Sequence, residues 1–330
     1  MKLIIILLSM LFILNAEDLQ IQDSLKKPPN PNQSISLNSK SKFPKSIIFI
    51  IADGTGIGQY TLSYYANENF PFRQFQHVGL VATHPDDHLK KVTDSASSGT
   101  ALATGQKTYN GAISVDHDGT PIKTVLEIAK DYQMSTGVVA TSTVSHATPA
   151  SFLTHIDYRK KEAEIARQMA KSEADIIFGG GAKYWSDDVL MDLEKHNGQY
   201  IVDLNDPYDP SRRLVGLFGA DALEPHHEGR YPTTTDMAIK AIDILDNNTE
   251  GFFLMIEESQ IDWGGHSNNA EYIKGEMESL SDLVQMCLDY QREHPNVLVV
   301  LTSDHECGGV AVHDSDNGNL DIQFTSDYHS

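Results

Sequence analysis

Short apolar runs alternate along this chain with segments of helical periodicity, and this alternation constrains the fold more than any other feature. The run Ser46–Ala52 ends in Asp53-Gly54, and a run of the same kind occupies residues 296–302. Continuous apolar runs of this length are typical of strands that are buried on both faces of a sheet. Strands that alternate with helices predict an α/β fold, in which a mostly parallel central sheet carries helices on both faces.

The remaining predicted elements repeat this order. We predict further strands at residues 136–141, 174–178 and 252–257. We predict helices at residues 124–132, 160–171, 187–196, 235–246 and 270–292. Residues 203–231 are poorer in pattern and richer in Pro, Gly and charge. We interpret this stretch as a surface excursion rather than a separate domain.

The N-terminal sequence MKLIIILLSMLFILNAED is typical of a secretory signal peptide. Lys2 is the charged start, residues 3–14 are the apolar core, and cleavage is expected after Ala16. A transmembrane anchor is the alternative, but the apolar run is short for a span of about 20 residues. We predict a signal peptide at residues 1–16 and a flexible leader at 17–45. The mature protein would be periplasmic or secreted, with no membrane attachment.

The balance of charge excludes one class of function. The chain has 46 acidic and 25 basic residues, a net charge of −21, which argues against nucleic-acid binding through a basic surface. An acidic enzyme can still bind an anionic substrate where metal ions reverse the local charge. Cys287 and Cys307 are too few for a disulfide framework. One bridge and two buried thiols both remain open.

Acidic and histidine side chains follow the predicted strands, where an open α/β sheet places its site. The ends of four separate strands provide candidate ligands: Asp53; His146 and Thr148; Glu257, Asp262 and His266; and Asp304 and His305. A single histidine of this kind would more simply be a core or surface residue. The convergence of four strand ends on one edge of the sheet favours a metal site instead.

The types of ligand suggest which metals bind. Asp262 and His266 are four residues apart, although Gly264-Gly265 between them favours a turn over a regular helix. Imidazole and carboxylate ligands without cysteine suit Zn²⁺, whereas the oxygen ligands of Glu257 and Thr148 suit Mg²⁺.

The sequence KVTDSASSGTALATG, residues 91–105, places Asp94-Ser95 before a run of small residues. On its own this pattern indicates an ordinary helix N-cap. Two metals about 4 Å apart would lower the pKa of the Ser95 hydroxyl, and the helix start would favour a phosphate group. Arg159 is the best candidate for bidentate phosphate contact. The alternative for Arg159 is a solvated residue at a helix start.

Five motifs then stand in a known order: IIADGTG, TDSASSGTALATG, SHATPASFLTHIDYR, IEESQIDWGGH and LTSDHE. From about residue 46 to its end the chain resembles the alkaline phosphatases, and more closely their bacterial, single-domain members with small insertions. The resemblance implies an alkaline-phosphatase-like fold over residues 46–330. It also implies a phosphate monoester hydrolase of broad specificity that scavenges phosphate, and homodimers are common in the family.

The resemblance also implies a role for each candidate residue. Ser95 would be the phosphorylated nucleophile, Arg159 the phosphate-binding arginine, and Asp94 the acid that orients it. The implied cofactors are two Zn²⁺ and one Mg²⁺. Their ligands would be Asp53, Asp304 and His305 for the first zinc, Asp262, His266 and His329 for the second, and Asp53, Thr148 and Glu257 for magnesium.

This sequence departs from the family pattern at three places. His146 stands where some members carry Asp, and Trp263 stands where others carry Lys or His. Trp263 would remove a possible water-mediated phosphate contact, and we expect altered phosphate affinity and metal dependence. The alternative for Trp263 is a packing residue that covers the site. The family also continues beyond its last metal-binding histidine, whereas this sequence ends one residue after His329. We therefore expect a domain truncated at its C-terminus, and His329 has an alternative interpretation as a frayed terminal residue.

Two other functions remain open. One is a phosphodiesterase or sulfatase of the same superfamily, although the C/S-x-P-x-R pattern of sulfatases is absent around Ser95. The other is an exported, non-catalytic protein that binds phosphate or metal.

Overall fold

The computed structural model describes residues 43–67, 69–316 and 318–330. The predicted signal peptide and all but the last residues of the predicted leader lie outside these ranges. The strands, in chain order, are β1 Ser46–Ala52, β2 Ser135–Thr143, β3 Ile176–Gly180, β4 Gly198–Ile201, β5 Arg213–Leu217, β6 Phe252–Glu258, β7 Val297–Thr302, β8 Val310–Asp314 and β9 Leu320–Phe324.

The helices flank the strands. They are α1 Ile57–Ala66, α2 Ser95–Thr104, α3 Val125–Asp131, α4 Ala147–Leu153, α5 Glu162–Lys171, α6 Asp187–Lys195, α7 Thr234–Leu245, α8 Gln260–His266 and α9 Ala270–Glu293. Short 3₁₀ turns lie at Pro71–Gln74, Ala182–Tyr184 and His226–Glu228. None of the helices in the described ranges is long and apolar enough to cross a membrane.

Seven strands of the described residues form one sheet, in the order β4-β5-β3-β2-β6-β1-β7. Every neighbouring pair in this sheet is parallel. β8 and β9 form a separate antiparallel hairpin. The predicted α/β class is confirmed, and the predicted strands and helices are present with their ends shifted by a few residues.

The sheet is held by apolar side chains on both of its faces, because successive residues of a strand point to opposite sides. Ile48 and Ile50 of β1 belong to a core cluster with Met237 of α7 and Leu280 of α9. On the other face, the Phe49 ring lies 6.2 Å from that of Phe152 in α4 and 6.3 Å from that of Phe253. Full burial of such a side chain contributes about 1.5–3 kcal/mol.

The predicted surface excursion at residues 203–231 is wrong in its central part. β5 lies inside it and pairs with β3 on one side and β4 on the other. Leu214 and Val215 are buried. Gly216 interrupts the apolar pattern because a side chain there would collide with the ring of Phe218. A short strand that needs a glycine for packing has no local signal that separates it from a loop.

A buried ion cluster holds the segment before α7 against the sheet, and it was not predicted from the sequence. Arg230 contacts Glu258 of β6 at 3.3 Å and Glu276 of α9 at 2.6 Å, and all three side chains are fully buried. The Ser279 hydroxyl also donates to Glu258 at 2.5 Å. Burial raises the pKa of Glu276 to about 7, and Arg230 opposes that shift.

We expect Arg230→Met to lower the free energy of unfolding by about 3–5 kcal/mol, because two buried carboxylates then lose the cation that they share. Urea denaturation followed by circular dichroism measures the loss. Arg292→Met is the matched control, since the Arg292–Asp289 pair is more than half exposed.

Adding Glu258→Gln and Glu276→Gln to Arg230→Met should recover most of the stability, because both buried negative charges are then removed. A triple variant as unstable as Arg230→Met would show that the guanidinium acts through packing rather than charge.

Candidate active site

Four neighbouring strands of the sheet, β2, β6, β1 and β7, direct their carboxyl ends to the same edge. Ile51 of β1 pairs with Glu257 on one side and Thr302 on the other. Asp53 and Asp304, two residues further along their own strands, therefore leave the sheet at the same level. The structure thus brings together the strand ends whose convergence the sequence indicated.

The Ser95 hydroxyl lies at the start of α2 and faces this edge. Asp94 is the N-cap, and its carboxylate accepts from the Ser97 backbone N–H at 3.0 Å. The Ser95 side chain is buried, with its Oγ 3.3 Å from His305 Nε2. The helix start is both the ordinary cap and a position that favours negative charge beside Ser95.

The small residues of α2 permit its close approach to α4, which carries Thr148. A Cβ built on Gly99 would lie 3.1 Å from Ser151 Oγ and 3.4 Å from Thr148 Cα. The run of small residues therefore has a packing reason. It brings the start of α2 next to the helix that presents one of the predicted magnesium ligands.

The first group of predicted zinc ligands is fully buried. His305 Nε2 lies 3.1 Å from Asp304 Oδ2 and 3.7 Å from Asp53 Oδ1. No donor in the described part of the chain hydrogen-bonds to either carboxylate oxygen of Asp53. Burial, then the nearby carboxylates of Asp304, Asp262 and Glu257, raise the pKa of Asp53 well above its usual range. A divalent cation fits this site because it would supply the missing positive charge.

The second group contains Asp262, His266 and His329. His266 Nε2 lies 3.2 Å from His329 Nε2 and 3.4 Å from Asp262 Oδ2. His266 Nδ1 contacts the Asp327 carbonyl at 2.7 Å, and His329 Nδ1 contacts the Thr93 carbonyl at 2.9 Å. In neutral rings these carbonyls require the proton on Nδ1, so that two Nε2 lone pairs face each other. Carbonyl partners of this kind fix metal-binding histidines, and the group fits a metal ion.

His329 is held firmly, and its interpretation as a frayed residue is wrong. Its backbone forms an antiparallel bridge with Cys307. Its ring stacks on that of His305, with centroids 3.7 Å apart and planes 19° apart. His329 is 9% exposed, so the last predicted ligand lies inside the site.

The prediction that Gly264-Gly265 makes a turn is also wrong, because both residues lie within α8. A Cβ on Gly264 would lie 2.7 Å from Ile273 Cγ1, and one on Gly265 would lie 2.7 Å from the Cys307 carbonyl. These glycines therefore allow α8 to pack closely, and the helix presents Asp262 and His266 on one side.

The predicted magnesium ligands Asp53, Thr148 and Glu257 lie close together. Thr148 and Glu257 are fully buried, and the Ser142 hydroxyl contacts Glu257 Oε2 at 3.4 Å. Burial raises the pKa of Glu257 to about 7, and the hydroxyls of Ser259 and Thr148 oppose the shift. Together with Asp53, these residues offer only oxygen donors, which fits Mg²⁺.

Arg159 lies in the turn before α5 and points back to the start of α2. One guanidinium nitrogen contacts Asp94 Oδ2 at 3.1 Å, and the other lies 3.1 Å from His146 Nε2. Burial alone would raise the pKa of Asp94, but Arg159 and two backbone N–H groups outweigh it and lower that pKa. Burial, then the Arg159 charge, lowers the pKa of His146 to about 3. His146 is therefore neutral and accepts from Arg159.

The role of His146 as a partner of Arg159 was not predicted, although the family resemblance marked its position as variable. The His146 ring lies edge-on to Trp263, with centroids 6.3 Å apart. Trp263 thus packs against the partner of the arginine, in agreement with its interpretation as a packing residue.

Cys287 and Cys307 are both free and buried, so the disulfide alternative is wrong. Cys287 lies in the apolar core under α9. Cys307 lies beside Asp262 instead, and burial followed by the Asp262 charge raises the pKa of its thiol. The position of Cys307 beside a candidate ligand was not predicted.

The fold and these side chains define an α/β protein with a buried serine beside several candidate metal sites. A family model, alkaline phosphatase, matches residues 44–326. The chain belongs to the alkaline phosphatase family, and the predicted family is confirmed.

Among curated relatives, alkaline phosphatase 3 of Bacillus subtilis (strain 168) is 38% identical over 290 residues, which are 81% of this chain and 62% of that protein. Alkaline phosphatase 4 of the same organism is 36% identical, with the same coverage. The chain thus spans less than two thirds of the length of these relatives.

Solved structures confirm the predicted fold. The alkaline phosphatase of the Antarctic bacterium TAB5 is 36% identical, with a TM-score of 0.81, over 88% of this chain and 89% of that one. A His-to-Asp form of that enzyme, 35% identical with the same TM-score and coverage, has Mg bound in its M3 site.

We expect chelation to lower the melting temperature of the protein, because the buried carboxylates then repel one another without a cation. A metal at 100 times its Kd stabilises the native state by about 2.7 kcal/mol. For a domain of 150–250 residues, each kcal/mol corresponds to roughly 2–4 °C. Differential scanning fluorimetry with EDTA, then with added Zn²⁺, measures the shift.

Asp53→Asn is the informative variant, since it removes one charge and keeps the shape. It should melt higher than the natural protein in EDTA and gain less from Zn²⁺. Equal melting temperatures with and without chelator in the natural protein would contradict the expectation.

Proposed function

We propose that this protein is a metal-dependent phosphate monoester hydrolase that acts through a phosphoserine at Ser95. The observation that carries the proposal is the position of Ser95 Oγ, buried at the start of α2 and 3.3 Å from His305 Nε2. An isolated serine hydroxyl is a weak nucleophile at neutral pH, and it needs nearby positive charge to react. Family membership supports the same chemistry.

We assign the metals as the family resemblance implies. Asp53, Asp304 and His305 would hold one Zn²⁺, and Asp262, His266 and His329 a second. Asp53, Thr148 and Glu257 would hold Mg²⁺. When bound, these ions supply positive charge that lowers the pKa of the Ser95 hydroxyl and offsets the charge of the phosphoryl group. The donor types, the burial and the unpaired oxygens of Asp53 support this assignment.

Ser95 would react by double displacement. Its Oγ releases its proton to solvent and forms a bond to phosphorus while the bond from phosphorus to the substrate oxygen breaks, and the alcohol leaves with a proton from solvent. A water molecule then attacks the phosphoserine, releases inorganic phosphate and restores the hydroxyl. The start of α2 favours the negative charge that develops beside Ser95 in both steps.

Arg159 would bind two oxygens of the phosphoryl group. Its guanidinium is oriented from two sides, by the Asp94 carboxylate and the neutral His146 ring. Its side chain is 20% exposed, so one face remains open to a ligand. A planar fork held in this way matches the geometry of a phosphate group.

We propose broad substrate specificity, because the site is organised around the phosphoryl group. A catalyst of this kind outside the cytoplasm suits phosphate scavenging, in agreement with the predicted signal peptide. A homodimer is the assembly that the resemblance suggests.

Ser95→Ala should abolish the phosphoenzyme, because the oxygen that forms the bond to phosphorus is then missing. The measurement is a rapid acid quench after mixing with a ³²P-labelled monoester, followed by identification of the labelled residue. Ser172→Ala, at the far end of α5, is the control and should be labelled as the natural protein is. Labelling of the Ser95→Ala variant at another residue would disprove the assignment.

The same preparations separate the alternative functions. A chromogenic phosphate monoester, a phosphate diester and a sulfate ester are assayed at alkaline pH, with and without chelator. The proposal requires preferential monoester hydrolysis that chelation removes. A preference for the diester or the sulfate ester would favour another superfamily activity. Tight phosphate binding without turnover would indicate a binding protein.

We expect Arg159→Ala to lower kcat/KM for a monoester by about 10- to 100-fold, since a charged hydrogen bond contributes roughly 1.5–3 kcal/mol. Arg159→Lys should recover little, because an ammonium group cannot make two parallel contacts. Steady-state kinetics with inorganic phosphate as competitive inhibitor give KM, kcat and Ki. Full activity of Arg159→Lys would show that charge alone is sufficient.

A further inference from the structure

The Cys307 thiol lies inside the second group of predicted metal ligands. Its Sγ and one ligand atom each of Asp262, His266 and His329 all lie within 4.8 Å of one another. Cys307 is fully buried. The role assigned above to this group uses only the carboxylate and the two imidazoles, so the sulfur has no function in it.

The backbone of Cys307 is fixed on three sides by parts of the site. Its N–H donates to the Gly54 carbonyl at 3.0 Å, and its carbonyl accepts from Gln59 Nε2 at 2.7 Å. It also forms the bridge with His329. The absence of a side chain at Gly265 leaves the space that the Cys307 Cβ fills, since a Cβ there would lie 2.8 Å away. The thiol is therefore held beside the ligands.

A second observation points to a cation at this position. Asp262 is 4% exposed, and its Oδ1 forms no hydrogen bond within the described ranges. The four side chains together offer one sulfur, two nitrogens and one oxygen. Mixed sets of thiolate, imidazole and carboxylate donors are the usual ligands of tetrahedral Zn²⁺.

We propose that Cys307 is a fourth, sulfur ligand of the metal held by Asp262, His266 and His329, and that it makes this site selective for thiophilic divalent cations. This inference rests on the proposed function only for the assignment of those three residues to a metal. Metal binding would release the thiol proton to solvent.

A sulfur ligand alters which ions this site prefers without closing it to substrate. Thiolate favours softer metals such as Zn²⁺ and Cd²⁺, whereas a site of carboxylate and imidazole alone discriminates less. Catalytic zinc ions can expand from four to five ligands. A substrate oxygen can therefore still reach an ion that Cys307 holds.

The other role open to Cys307 is a neutral thiol that hydrogen-bonds to Asp262 and packs against α8. The two roles differ in one measurable property, the presence of a bond between sulfur and metal. The chain has a matched control, because Cys287 is its only other cysteine and lies in the apolar core.

The test uses the Co²⁺-substituted full protein, its Cys287→Ser variant and its Cys307→Ser variant. We expect a sulfur-to-cobalt charge-transfer band in the natural protein and in Cys287→Ser, and its loss in Cys307→Ser with the visible d–d bands retained. Cys307→Ser should also lower Cd²⁺ affinity by more than the roughly 10- to 100-fold that loss of an outer partner causes. The same spectrum in all three proteins would overturn the proposal.

X-ray absorption on zinc-loaded Cys287→Ser keeps the test valid if Cys307→Ser does not fold. This variant has one thiol, and the proposal requires a zinc–sulfur distance of about 2.3 Å. A coordination shell of nitrogen and oxygen alone would overturn it. Monoester hydrolysis is measured on the same samples, so loss of turnover with the sulfur shell intact would count against the proposed function and not against the ligand.

Discussion

Four carboxylates from distant parts of the chain are buried together at the carboxyl edge of the sheet, and the rest of the site depends on how their charge is balanced. Asp53, Glu257, Asp262 and Asp304 are at most 4% exposed. The pKa values of Asp53 and Glu257 are raised by burial and by neighbouring acids. Parallel strands can hold such groups in place, but they supply no positive charge. Under the proposed function, the stability and the chemistry of this site both depend on cations.

Glycine makes this convergence sterically possible. Gly54, at a φ of +71°, turns the chain directly after Asp53, and a Cβ there would lie 2.5 Å from Asp262 Cα. Gly265 likewise allows close contact between α8 and the loop that carries Cys307. A side chain at either position would push apart the backbone segments that carry the candidate ligands. The motifs that look like flexible turns in the sequence are thus positions of close backbone contact.

The sequence allowed prediction of the elements whose signal is local. Ser46–Ala52 is a buried strand because every residue in it is apolar or small, and Ser95 begins a helix because Asp94 can cap it. The predictions that failed concern features that depend on tertiary neighbours. β5 and α8 contain glycines that only a packed partner explains. The Arg230 cluster and the position of Cys307 arise from residues far apart in sequence, which periodicity cannot relate.

The contacts around Arg159 show why the arginine alone could not offset the charge of a bound phosphate group. Its charge is balanced by Asp94, and its second partner, His146, is neutral because its pKa is about 3. The pair of Arg159 and Asp94 thus carries no net charge, in a protein whose total is −21. Arg159 can orient a phosphate group but cannot offset its charge. Under the proposed function that task falls to the ions at the four strand ends. The same carboxylates that repel one another without cations therefore make the edge selective for an anion once cations are bound.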